Sequence, residues 1–117
     1  MKTILIVEDN ELNVDLLLQL LEEEYALVIA TDGVQAVRLA IEGAPDLVLM
    51  DISLPVMDGD EATRRIRAAR PDLPVIGLSS HAMQGDASQA LACGCTEYMT
   101  KPVNEDLLLS CLHKLLG

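Results

Sequence analysis

The hydrophobic residues of this chain fall into short continuous runs that alternate with longer segments of helical spacing. A short, continuous apolar run bounded by turn residues is typical of a strand buried on both faces. Such runs predict five strands, each followed by polar or turn-forming residues that mark its end. The predicted strands cover residues 3–7, 25–30, 47–50, 75–78 and 97–100.

Between these runs, apolar residues recur three and four positions apart, which indicates helices with one buried side. The first helix follows Asn10, a residue suited to an N-cap, and carries leucines at helical spacing. The second follows the Asp32-Gly33 turn and ends at Gly43. The leucines of the first helix are Leu12, Leu16, Leu17, Leu20 and Leu21. Of the three later helices, the third starts at Asp60, the fourth covers residues 84–92 and the last follows Asn104. Five strand–helix units predict an α/β fold with a doubly wound parallel sheet.

Polar side chains stand where each of four predicted strands ends. Glu8 and Asp9 follow the first strand, Asp51 ends the third, Ser79 ends the fourth and Lys101 follows the fifth. In an open α/β sheet the carboxyl ends of the strands share one edge, where ligands bind. We therefore expect these side chains to converge around Asp51.

The three carboxylates of this set would repel one another if they were held close together. A hard divalent cation resolves that conflict, and Mg²⁺ prefers carboxylate and carbonyl oxygens. A cation at Lys101 and a hydroxyl at Ser79 indicate a bound anion, for which a phosphoryl group is the natural candidate. Asp51 would then be the nucleophile that forms an aspartyl phosphate.

Composition and charge exclude some classes of partner and location for this chain. The chain has 117 residues, which fits one domain, and half of them are hydrophobic, with no Phe or Trp, so we expect an aliphatic core. The formal net charge of −11 argues against a nucleic-acid partner and suits cations or basic protein surfaces. No apolar run is long enough for a membrane span, and no signal peptide is evident. The three cysteines, Cys93, Cys95 and Cys111, do not predict a disulfide framework, and a cytoplasmic location fits best.

The same residues resemble a known family. The acidic pair Glu8-Asp9, Asp51 followed by Leu54-Pro55 and Met57-Asp58-Gly59, Ser79, and Lys101-Pro102 occur in an order similar to that of CheY-like response-regulator receiver domains. Residues 7–13 and 81–83 most resemble receivers of hybrid histidine kinases and of single-domain regulators. The resemblance covers residues 1–117 as a single receiver domain, and it implies a (βα)5 flavodoxin-like fold with strand order 2-1-3-4-5.

The resemblance also implies a role for each site residue. Asp51 would accept the phosphoryl group from a histidine kinase or a histidine phosphotransfer protein. Asp9, Asp51, Glu8 through water and the backbone carbonyl of Ser53 would hold Mg²⁺, with Mn²⁺ as a substitute. Ser79 and Lys101 would contact the phosphoryl group, and Lys101-Pro102 resembles the family's cis-proline junction.

Phosphorylation would switch a protein-binding surface. By resemblance, Ser79 and Tyr98 are the switch residues, and the output surface combines the helix at 84–92, the last strand and the last helix. The phosphoryl donor would dock near the first helix and the Asp51 loops. Catalysis would be limited to the domain's own phosphorylation and dephosphorylation, with no membrane contact and no action as an enzyme on other substrates.

The chain departs from the family pattern at a few positions. Ser79 stands where Thr is common, and Ser80 stands where a small apolar residue is usual. Ser53 and His81 occupy positions that tune hydrolysis in the family, and neither is a carboxylate or an amide that would readily orient water. We therefore expect phosphorylated Asp51 to be comparatively long-lived.

Other interpretations remain open at this point. The domain could be a docking module that is never phosphorylated, or a small phosphohydrolase with an Asp nucleophile, although Ser53 replaces that class's second Asp. A flavodoxin-like cofactor binder lacks support because the chain has few aromatic residues. Cys93 and Cys95 are interpreted as small buried residues, His113 as exposed, and the basic cluster Arg64, Arg65, Arg67 and Arg70 as a solvated helix face.

Overall fold

The sheet has the predicted strand order. The computed structural model describes residues 1–51, 59–79, 95–100 and 104–116. Five parallel strands are arranged in the order β2-β1-β3-β4-β5. Their bounds are Thr3–Val7 (β1), Ala26–Ala30 (β2), Leu47–Asp51 (β3), Val75–Ser79 (β4) and Glu97–Thr100 (β5). Asp51 and Ser79 are therefore the last residues of their strands, and β2 begins one residue later than predicted.

Helices follow the strands as the apolar spacing indicated. They are Glu11–Leu21 (α1), Gly33–Glu42 (α2), Gly59–Ala69 (α3) and the C-terminal helix Glu105–Leu116. The Asn10 side chain caps α1, and Asn104 Oδ1 accepts a hydrogen bond from Leu107 N at 3.0 Å. The helix predicted at 84–92 lies outside the described residues. None of the described helices has the length and apolar character needed to cross a bilayer.

Alternate residues of each strand supply two separate cores, one on each face of the sheet. Ile4 and Ile6 of β1 belong to the core under α1 and the C-terminal helix. Leu5 and Val7 belong to the core under α2 and α3. Both cores are mainly aliphatic, as expected, although Tyr25 is buried in the first one. All five residues of β3 are buried, so this central strand is the rigid support of the site.

The exposed leucines of α1 depart from a simple amphipathic pattern. Leu17 and Leu21 are buried in the first core. Leu12 and Leu16, which share the same spacing, are 79% and 44% exposed. Helical periodicity thus predicted α1 correctly, but two of its leucines face solvent near the Glu8-Asp9 end of the helix.

The turn after α2 has an unusual arrangement of glycine and alanine. Gly43 is the C-cap, as predicted, but its φ of −84° is helical. A Cβ at Gly43 would lie only 2.7 Å from Leu39 O, which accounts for the glycine. Ala44 has a φ of 46°, in the left-handed region that usually favours glycine.

The arginines of α3 and its end do not form one solvated basic face. Arg64 and Arg65 are exposed and pair with Glu61 at 3.7 and 3.0 Å. Arg67 Nη1 donates to Pro71 O at 2.8 Å. Arg70 Nη1 donates to Ala40 O at 3.1 Å and to Pro45 O at 2.9 Å. Half of the predicted cluster therefore binds backbone carbonyls, in the last turn of α2 and in two loops, which the solvated-face interpretation missed.

The C-terminal helix is attached by both buried and exposed contacts. Cys111 is buried in the first core, and burial, followed by repulsion from Glu97, raises the pKa of its thiol. Lys114 Nζ donates to Glu97 Oε1 at 3.1 Å, and this hydrogen bond raises the pKa of Lys114. His113 is exposed, as expected, with Nε2 3.1 Å from Glu24 Oε2. Cys95 is buried as predicted, whereas Cys93 lies outside the described residues.

Candidate metal centre at the carboxyl edge of the sheet

The pairing of β1 with β3 brings the candidate acids together. Val7, the last residue of β1, lies opposite Met50 in the parallel ladder. Glu8 comes directly after Val7, and Asp51 directly after Met50. Glu8 N also donates to Ala30 O at 3.0 Å, which continues the ladder towards β2 beyond the end of β1. The strand register alone therefore places Glu8 beside Asp51.

Three carboxylates cluster at this edge. One oxygen from each of Glu8, Asp9 and Asp51 lies within 4.8 Å of the others. Glu8 is 1% exposed and Asp51 4% exposed, whereas Asp9 is open to solvent. Buried carboxylates held this close carry a desolvation cost and repel one another, and a bound cation offsets both.

The donor set fits magnesium. Mg²⁺ takes oxygen ligands, requires only one or two protein carboxylates and retains several waters. The three acids supply carboxylate oxygens alone, and the exposure of Asp9 leaves the cluster open to water on one side. Softer metals that select thiolate or imidazole find no such ligand in this cluster.

A further residue supports Glu8. The Nδ2 atom of Asn13, in the first turn of α1, donates to Glu8 Oε1 at 2.9 Å. The Asn10 side chain accepts hydrogen bonds from Leu12 N and Asn13 N, so the start of α1 is fixed to the loop that carries the acids. Sequence reasoning missed Asn13. Its signal was a polar side chain within the first helical turn after an acidic loop.

A groove opens beside the acids. Its volume is about 240 Å³, and one wall is the first turn and a half of α1. Four of its seven lining residues are acidic, and α1 and β2 add apolar side chains. The lining residues are Glu8, Asp9, Glu11, Val14, Asp15, Ile29 and Thr31. A larger cavity, of about 340 Å³, lies around Arg70 and Asp46, away from the acids.

The other predicted site residues are placed in part. Ser79 ends β4 and lies opposite Thr100 of β5, while Leu78 lies opposite Asp51. Lys101, Pro102 and Ser53 lie outside the described residues, as do Ser80 and His81. The structure therefore brings Glu8, Asp9 and Asp51 together, and the roles of Ser79 and Lys101 stay predictions.

Tyr98, the predicted switch residue, lies in the middle of β5. It pairs with Gly77 of β4 and is half-buried. Its side chain packs against the core under α2 and α3. This position is on the edge strand of the sheet, next to β4, whose last residue is Ser79.

The chain is similar to known proteins in both sequence and structure. The family model described as "Response regulator receiver domain" matches residues 4–113. The chemotaxis protein CheY of Halobacterium salinarum is 34% identical over 116 residues, which cover 98% of this chain and 97% of that protein.

Two solved structures bear on the site. The receiver domain of the sensor histidine kinase PA1611 from Pseudomonas aeruginosa PAO1, described with a magnesium ion in its active-site cleft, has 39% identity and a TM-score of 0.92. The match covers 99% of this chain and 98% of that one. The second is the complex of the Saccharomyces cerevisiae phosphotransfer protein Ypd1 with the receiver domain of the response regulator Ssk1, with 31% identity and a TM-score of 0.87. The match covers 99% of this chain and 93% of that one.

Proposed function

Because this chain belongs to the response-regulator receiver domain family of two-component systems, we propose that it accepts a phosphoryl group on Asp51 from a histidine donor. The observation that carries the proposal is the cluster of Glu8, Asp9 and Asp51 at the carboxyl edge of the sheet. Asp51 is the member that ends the fully buried central strand, so its carboxylate has the most rigid backbone. The proposal treats residues 1–117 as one receiver domain.

In the proposed reaction, a carboxylate oxygen of Asp51 attacks the phosphorus atom of a phosphohistidine. The new O–P bond forms as the P–N bond breaks, and the imidazole leaves with its electron pair and takes a proton. Glu8, Asp9, Asp51 and the carbonyl of Ser53 would hold Mg²⁺, or Mn²⁺, which neutralises charge on the phosphoryl oxygens. Lys101 and the Ser79 hydroxyl would contact the same oxygens.

The chemistry proposed here is limited to the domain itself. The domain promotes transfer to Asp51 and the later hydrolysis of the acyl phosphate, in which water attacks phosphorus and the Asp51 carboxylate is released. We assign it no other substrate. The acidic charge favours protein partners over nucleic acid, and we place this signalling in the cytoplasm, away from the membrane.

The phosphoryl donor, a histidine kinase or a phosphotransfer protein, would dock on α1. Leu12 and Leu16 are exposed there, next to the groove that leads to the acids. Glu11 and Asp15 give this surface an acidic rim, which suits basic residues around a phosphohistidine. The Ypd1–Ssk1 complex supports a phosphotransfer protein as a donor class, because a similar receiver is bound there to such a protein.

Phosphorylation would change a second surface, which passes the signal to another protein. We assign this output surface to the segment 84–92, β5 and the C-terminal helix. Tyr98 lies at the centre of β5 and would reorient together with Ser79. The half-buried state of Tyr98 suits such a change, since its side chain is packed but still reaches the surface.

The test is the intact mass of the protein after incubation with Mg²⁺ and acetyl phosphate. We expect one added phosphoryl group in the native protein and in Asp72→Asn, an exposed acid at the far end of the sheet. We expect none in Asp51→Asn and none without Mg²⁺. No adduct in any sample would overturn the proposal, and steady phosphate release without an adduct would favour a phosphohydrolase.

A further inference from the structure

Asn13, a polar residue in the first turn of α1, donates a side-chain hydrogen bond directly to Glu8, a candidate metal ligand. Its amide nitrogen lies 2.9 Å from Glu8 Oε1, a normal hydrogen-bond distance. Asn13 is half-buried, and Glu8 is buried. The contact is thus largely shielded from water, where a hydrogen bond orients a side chain most strongly.

The donor is carried by a rigid element. Asn13 N donates to Asn10 Oδ1 at 3.2 Å, and Val14 N donates to Asn10 O at 3.0 Å. These bonds fix the first turn of α1 directly after the Glu8-Asp9 loop. The position of the Asn13 amide relative to Glu8 is therefore set by backbone geometry rather than by a flexible surface chain.

The chemical type of the donor also matters. An amide N–H satisfies a carboxylate oxygen but adds no net charge. A Lys or Arg at the same place would neutralise Glu8 and compete with a divalent cation for the acids. Asn13 therefore orients Glu8 and leaves the negative charge of the cluster intact for metal binding.

We propose that Asn13 is a positioning residue of the metal centre, which sets the affinity for Mg²⁺ by holding the Glu8 carboxylate beside Asp9 and Asp51. The inference rests on the proposed function, because it assumes that these acids bind Mg²⁺. Residues that orient metal ligands typically change metal affinity by 10–100-fold when they are removed. We expect Asn13→Ala to raise the Kd for Mg²⁺ by roughly tenfold or more.

The test is calorimetric titration of the unphosphorylated protein with Mg²⁺, which requires no transfer activity. Asn13→Leu serves as a second variant, since it keeps the shape of Asn and removes the donor. Gln19→Ala is the matched control: it removes an amide from an exposed position of the same helix and should leave the Kd unchanged. Wild-type protein that does not bind Mg²⁺ would overturn the proposed function together with this inference.

A double-mutant cycle separates positioning from a general effect on the fold. Glu8→Asp keeps the carboxylate but shortens it by one methylene, which withdraws it from Asn13. Asn13→Ala should then have no further effect on the Kd in the Glu8→Asp background. An unchanged Kd in the Asn13 single variants, or an equal loss in both backgrounds, would overturn the positioning role.

Discussion

Single residues decide how the site works, and the three acids differ in their surroundings. Asp51 and Glu8 are buried, whereas Asp9 is exposed at the mouth of the cluster. The buried pair provides fixed geometry, and the exposed acid leaves the cluster open to water and, in the proposed function, to an incoming phosphoryl donor. This division accounts for a cluster that is both preorganised and open.

The lifetime of phosphorylated Asp51 is a prediction at this scale. Ser53 and His81 lack the carboxylate or amide that would orient an attacking water, and both lie outside the described residues. We expect a long-lived adduct, with Ser53→Asn shortening its lifetime. The measurement is decay of the intact-mass adduct after removal of donor, and loss within seconds in the native protein would contradict the expectation.

Because the thiol of Cys111 is buried, we expect the free energy of unfolding to fall as the pH rises into the alkaline range. Burial holds its pKa above the ordinary value of 9.0, so the unfolded chain releases the proton first. The raised pKa therefore favours the folded state below about pH 9, and this contribution is lost as the pH rises further. Denaturant unfolding at pH 8 to 10 should show a shallower decline for Cys111→Ala than for the native protein. Equal slopes would show that Cys111 does not contribute.

Helices and strands are the scale at which sequence patterns were most informative. Apolar runs predicted β1 and β5 with their observed bounds, and Asn10 and Asn104 marked helix starts correctly. The pattern could not separate Leu12 from Leu17, because both fit the same period and only the position of the sheet decides which is buried. Burial within a helix therefore required the structure.

Hydrogen bonds from side chains to distant parts of the chain could not be predicted from the sequence. Arg70 looked like part of a basic cluster, yet it donates to Ala40 O and Pro45 O. Asn13 was assigned no role from the sequence, yet it donates to Glu8. No local pattern marks a carbonyl or carboxylate that tertiary packing brings near, whereas the acidic cluster itself followed from strand ends.

The turn between α2 and β3 yields a stability prediction. Ala44 has a left-handed φ of 46°, which costs a residue with a Cβ about 1 kcal/mol more than glycine. Ala44→Gly should raise the free energy of unfolding, by up to about 1 kcal/mol, in denaturant titration. The same substitution at Ala68, exposed in α3, should lower it by roughly 0.5 kcal/mol. A loss of stability at both positions would contradict the explanation.

Arg70, at the end of α3, yields a second prediction about stability. Arg70→Ala removes the charged donor to two backbone carbonyls, Ala40 O in the last turn of α2 and Pro45 O in the loop after it, and should lower the free energy of unfolding by about 2 kcal/mol. Arg64→Ala removes an exposed arginine from the same segment, and its effect should stay within about 0.5 kcal/mol. Similar losses for both variants would restore the interpretation of a uniform solvated face.

At the scale of the whole molecule, negative charge and exposed apolar residues meet beside the site. The net charge is −11, and four of the seven residues that line the groove next to the acids are acidic. Leu12 and Leu16 lie on the helix that forms its wall. A docking partner would therefore combine an apolar contact with basic residues, and its association should weaken as salt is added.

Substitutions on α1 should weaken docking of the phosphoryl donor without affecting the phosphorylation chemistry at Asp51. Leu12→Ala with Leu16→Ala should slow transfer from a phosphorylated histidine donor by roughly tenfold or more. Phosphorylation by acetyl phosphate, which needs no docking surface, should be unchanged. Ile41→Ala is the control, because Ile41 is similarly exposed but lies on α2. Equal loss with both donors would place the effect in the site, and no loss with either would remove α1 from the donor interface.

The strand order has a consequence for the synthesis of the chain. β1, β2 and β3 are neighbours in the sheet and are also the first three strands to be translated. Glu8, Asp9 and Asp51 all belong to this portion, and Asp51 is its last residue. The emerging polypeptide thus carries all three acids of the candidate metal centre before the ribosome makes β4 and β5. The later half supplies the residues predicted to recognise the phosphoryl group and transmit the signal, so the acids proposed to hold the cation are translated before the residues proposed to signal.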